Sequence, residues 1–111
     1  MGAYTLILRV EGRTEKQRFD ALPTALDALE REARAFAATE RREGRSIVTR
    51  TYEPVNIVAL RAELKGPGLR CGIDVRGDGS AGAYTGRWGR RLIDLHDGED
   101  AYAALRRTLD G

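Results

Sequence analysis

Cysteine and histidine occur once each, as Cys71 and His96. A single thiol cannot close an internal disulfide, and one Cys with one His is too few ligands for a tetrahedral zinc site. Lysine is nearly absent: beyond Lys16 and Lys65 every basic side chain is arginine, which favours planar contacts to phosphate and carboxylate. No uncharged apolar run exceeds about five residues, against the roughly 20 a spanning helix needs. No basic start precedes a long apolar block, so no secretory signal is expected. Together these absences point to the cytoplasm and away from the membrane. The net charge of +2 is too small to mark a nucleic-acid binder by itself.

Catalytic and cofactor motifs are equally sparse. Gly77, Gly79 and Gly82 have the G-x-G-x-x-G spacing of a dinucleotide loop. That loop needs a helix immediately after it to hold the pyrophosphate. The residues that follow, Ala83-Tyr84-Thr85-Gly86-Arg87-Trp88-Gly89, are poor helix formers and fair strand formers. The same stretch contains Arg76-Gly77-Asp78, an adhesion tripeptide that the expected location deprives of a target. Asp78-Gly79 instead predicts a hairpin turn. His96 beside Asp97 has no nucleophile next to it in sequence, and Cys71 lies among inward-facing strand residues. Asp94, Asp97, Glu99 and Asp100 do not have calcium-loop spacing, and helix capping accounts for most of them. The expectation is no enzyme, no metal and no cofactor.

What is present is a change of hydrophobic period. Tyr4 to Val10 alternates as a strand with one face buried. Glu11 to Thr14 is a turn, and Glu15 to Phe19 returns as a polar edge strand guarded by Lys16 and Arg18. Leu22, Leu26, Leu29, Ala33, Phe36 and Ala37 then fall on one stripe of a helix of about five turns. Asp20 is a candidate cap, Pro23 suits the first turn, and Gly44 ends it. Ser46 to Glu53, Asn56 to Lys65 and Arg70 to Arg76 read as strands, with Gly66-Pro67-Gly68 as a turn. Ala83 to Leu95 reads as one long strand, bent near Gly86 and Gly89. Asp97 is a candidate cap for a C-terminal helix carrying Tyr102, Leu105 and Leu109 on its apolar side. The 111 residues fit one α+β domain, in the order β-β-α-β-β-β-β-α. A single antiparallel sheet would carry both helices on one face.

Two surfaces stand out. Arg87, Trp88, Arg90 and Arg91 join three guanidinium groups to the only tryptophan, a combination suited to nucleic acid or an anionic ligand. Arg87 and Arg91 fall on one side of a regular strand, and Trp88 and Arg90 on the other. An RNA-recognition motif is not expected, because Asn56 to Lys65 and Arg70 to Arg76 hold no aromatic residue. A double-stranded RNA-binding domain is not expected either, because the last helix opens on Asp97-Gly98-Glu99-Asp100, which repels phosphate. On the sheet face away from the helices, Ile7, Ile57 and Ala59 would leave a partly apolar surface. That surface predicts a small non-enzymatic cytoplasmic protein working through protein–protein contact, as a homodimer or other homo-oligomer or with another protein. The alternative is an arginine-based nucleic-acid or anionic-ligand module built on residues 87–91.

Overall fold

The computed structural model describes residues 2–10, 12–43, 58–86 and 89–110. The chain runs β1 (Tyr4–Val10), β2 (Arg13–Phe19), α1 (Leu22–Glu43), β3 (Val58–Gly66), β4 (Leu69–Arg76), β5 (Ala81–Thr85), β6 (Arg91–Leu92), α2 (Ala101–Asp110). All six strands form one antiparallel sheet in the order β2-β1-β3-β4-β5-β6. The expected α+β architecture is therefore what the chain adopts. The predicted strand Ser46 to Glu53 lies outside the described residues.

Alternation separates two chemistries on the strands. Leu6, Leu8, Leu60, Ala62, Leu64, Cys71, Ile73, Val75 and Ala83 all turn to one side, where they are buried against the helices. α1 supplies Ala25, Leu26, Ala28, Leu29, Ala33 and Ala37, and α2 supplies Ala101, Tyr102 and Leu105. The alanines let α1 lie close to the strands. The leucines, at about 1.5–3 kcal/mol for each fully buried large side chain, provide the driving force.

The predicted long strand Ala83 to Leu95 is two strands. The chain turns back after Thr85, so that Tyr84 pairs with Leu92 and Thr85 with Arg91. Gly86 makes this possible: its φ is +142°, and a Cβ there would run into the Gly89 carbonyl. Two glycines read as bends in a strand are thus the ends of a reversal. The Gly77–Gly82 stretch is a hairpin turn, as expected. Arg76 and Ser80 close it with Arg76 N–H donating to Ser80 O at 2.8 Å. Asp78 Oδ1 accepts from Ser80 N and Oγ at 2.9 and 2.6 Å. A strand follows, which removes the helix a dinucleotide loop needs.

Capping also differs from expectation. Asp100, not Asp97, caps α2, its carboxylate accepting the Ala103 N–H at 2.8 Å. Glu99 accepts the His96 N–H at 2.8 Å, and its own N–H donates to the His96 carbonyl at 2.9 Å. Asp20 makes no capping hydrogen bond to α1 among the described residues. The helices are tied by Arg34 to Asp100 (2.8 Å) and by Arg106 to Asp27 (2.9 Å) and Glu30 (3.2 Å), with the Arg34 guanidinium 4.2 Å from the Tyr102 ring centre. Every arginine in this junction has a carboxylate, and exposed pairs of this kind contribute about 0–1 kcal/mol each.

The α2 junction is acid-sensitive. Arg107 and the His96 amide hold Glu99 below the ordinary glutamate value of 4.5. The Ala103 amide and Arg34 hold Asp100 below the aspartate value of 3.8. Groups depressed by folding stabilise the fold above their unfolded pKa and lose that contribution as pH falls through their folded pKa. Urea midpoints should therefore be flat from neutrality to about pH 5 and fall below the ordinary carboxylate range. Glu99→Gln should blunt the fall.

Candidate cationic sheet face

The side of the sheet away from the helices is where the charges converge. Register places Lys16 and Arg18 of β2, Arg9 of β1, and Arg61 and Lys65 of β3 on it. Arg70 and Arg76 of β4 join them by the same alternation. Arg90 reaches it from the turn before β6, with its guanidinium 5.4 Å from the Tyr84 ring centre. Against these eight cations stand two carboxylates, Glu63 and Asp74. The whole chain carries only +2, so the remainder of the molecule is net acidic. Among the described residues no helix or strand covers this face.

Glu63 and Asp74 act as internal counter-ions. Glu63 lies 3.1 Å from Arg9 and 3.2 Å from Arg70. Asp74 takes Arg61 at 2.8 and 3.3 Å, in a bidentate pair, and Arg90 at 3.8 Å. Both carboxylates are only 12% exposed. The Asp74 hydrogen bonds hold the Arg61 guanidinium more firmly protonated than usual. Two acids thus serve four arginines, while Lys16, Arg18, Lys65 and Arg76 make no ion pair among the described residues. Arg9 sits directly across from Arg61, and Lys65 directly across from Arg70. Like charges in such positions destabilise a sheet, so the arrangement costs folding energy in the absence of an anion.

Tyr84 lies at the centre. Its ring occupies the space over Gly72, its neighbour on β4, where a Cβ would meet the hydroxyl at 2.5 Å and the Ala62 carbonyl at 2.6 Å. The residue is 1% exposed, and its hydroxyl has no hydrogen-bond partner. Burial, with Glu63 and Asp74 nearby, raises the phenol pKa. Arg70 Nε is likewise buried and without a hydrogen bond, close to Glu63 but badly aligned with it.

The residues expected from sequence are distributed unevenly. Arg90 belongs to the cationic face. Arg91 pairs with Thr85 and takes the opposite side of β6, so the two do not converge. Arg87, Trp88 and Ile57 lie outside the described residues. Ile7 faces away from the helices as expected, but it is 3% exposed and so offers no apolar surface. Ala59 is half-buried at an irregularity between Val58 and Leu60. Among the described residues, the large apolar side chains open on this face are Val58, which pairs with Arg76 and is 42% exposed, and Leu92, at its margin and 74% exposed. Sequence reading missed Tyr84, Glu63 and Asp74 as a unit. The signal lay in stacking the outward positions of β3 and β4, a charge at almost every one, before asking about neighbours in sequence.

No known protein family matches the chain, and no curated protein or solved structure resembles it. Other candidate chemistry is not assembled. Among the described residues no group of three or more His, Cys, Asp or Glu could hold a metal ion, and no helix is long and apolar enough to cross a membrane. His96 is exposed and 4.0 Å from Glu99. A cleft of about 630 Å³ between β1, β2 and α1 has an apolar floor of Leu8, Val10, Phe36 and Leu60. Its rim of Arg13, Thr14, Glu15 and Glu32 brings one hydroxyl and no histidine or cysteine.

Two outcomes follow. Gly72→Ala should destabilise the fold by about 2 kcal/mol in urea unfolding, because backbone blocks the new methyl on one side and the Tyr84 ring on the other. Cys71 is fully buried and its thiol is pushed up to about 12. It should stay inert to a disulfide reagent at pH 8 in the native protein and react only on unfolding.

Proposed function

We propose that this chain is a non-enzymatic binding module whose cationic sheet face docks the phosphate backbone of nucleic acid. The observation that carries the reading is the gathering of eight cations against two carboxylates on one face of a chain with little net charge. Six of the eight are arginines, whose planar fork matches a phosphate. Affinity of this kind comes from displacing counter-ions and does not depend on base sequence.

Protein–protein contact through the same face, the first expectation from sequence, is less well served. Specific protein interfaces centre on accessible apolar or aromatic anchors. Here Ile7 and Tyr84 are already buried within one molecule. A symmetric dimer joined face to face would also set the same surplus of positive charge against itself. Self-association through other surfaces does not meet this objection.

Fluorescence anisotropy with labelled oligothymidylate and a labelled duplex tests the reading. Binding at low salt should weaken linearly in a plot of log affinity against log salt. Lys16→Glu with Lys65→Glu should lower affinity and flatten that slope by about 2. No binding at low salt, or a double variant that binds like the parent, would contradict it. Stronger competition from polyglutamate than from unlabelled oligonucleotide would move the partner to an acidic protein.

A further inference from the structure

We infer that the centre of the cationic face is a seat for one phosphodiester group, with the Tyr84 hydroxyl and Arg70 Nε as its dedicated donors. The inference rests on the reading above that the face binds nucleic acid, and adds a fixed position to an otherwise diffuse attraction. Buried hydrogen-bonding groups are almost always satisfied, so each exception calls for a reason. Among the described residues only two buried side-chain polar atoms are unsatisfied, Tyr84 Oη and Arg70 Nε. Both belong to the same face, on neighbouring strands: Tyr84 pairs with Gly72, and Arg70 lies two residues from Gly72 along β4. The hydroxyl and Cζ of Tyr84 are its atoms nearest Gly72, so the hydroxyl is packed against backbone while making no hydrogen bond.

The charge around these donors suits a phosphodiester. Arg61, Arg90, Glu63 and Asp74 lie close enough to act on the hydroxyl, and the two carboxylates also hold Arg9 and Arg70, so four guanidinium groups share two acids. Two positive charges remain for a group carrying one negative charge. Glu63 keeps its hydrogen bond from Arg9 at 3.1 Å if Arg70 turns to a ligand. Access depends on side chains. Arg90 stands over the Tyr84 ring, is half exposed, and reaches Asp74 only at 3.8 Å. A pair of that length and exposure holds weakly, so Arg90 can lift and then fold back over the bound phosphate.

A substitution that removes one oxygen separates a functional hydroxyl from a packing defect. Tyr84→Phe keeps the ring on Gly72 and deletes the unsatisfied group. The free protein should melt about 5 °C higher, since an uncompensated polar group leaves the interior. Its affinity for labelled oligothymidylate should fall about tenfold, the scale of one hydrogen bond to a charged acceptor, with the salt slope unchanged because no charge is lost. Arg70→Lys, which retains the charge without Nε, should weaken binding in the same way. If Tyr84→Phe melts higher yet binds like the parent, the seat is overturned while the face reading stands. If the parent protein does not bind the oligonucleotide at all, both fall.

Discussion

Alternation along β3 and β4 is the constraint on which the rest depends. Leu60, Ala62, Leu64, Cys71, Ile73 and Val75 point into the helices. The residues between them are Arg61, Glu63, Lys65, Arg70, Gly72 and Asp74. A shift of one residue in either strand would bury that charged set and expose the core, so the register is strongly specified. The two central strands thereby fix both the hydrophobic interior and the chemistry of the opposite surface.

The two layers use arginine in different ways. On the helical side Arg34, Arg106 and Arg107 each have carboxylates and tie α1, α2 and the preceding loop together. On the sheet side four arginines share two carboxylates, and other cations have none among the described residues. Balanced pairs suit structure, whereas a surplus held apart by partial neutralisation suits an anion that is not part of the fold. Glu63 and Asp74 keep the guanidinium groups extended across the sheet, which reduces the ordering needed when a ligand arrives.

Much of the fold was legible because hydrophobic period carries over distance-free: Leu22 to Ala37 repeats at helical spacing, and Tyr4 to Val10 and Asn56 to Lys65 at strand spacing. The turn at Asp78-Gly79 was legible from its residue types. The reversal after Thr85 was not, because a glycine in a β-rich stretch reads equally as a bulge or a turn, and only the collision between Gly86 and Gly89 decides. The candidate site was the least legible. Its members come from β1 to β5 and the turn before β6, and meet only through register. The segment that looked most like a site, residues 87–91, sends Arg90 and Arg91 to opposite sides. Ile7 was placed on the right face, but at 3% exposed it offers no surface there.

The central claim is that the cationic sheet face, and not the helical layer, receives a polyanion. Amide chemical-shift mapping during titration with oligothymidylate tests it most directly. The account predicts that the largest shifts fall on β1, β3 and β4 around Ile7, Glu63 and Gly72, and extend to Tyr84, with α1 and α2 little changed. Shifts confined to the helices, or none at low salt, would contradict it.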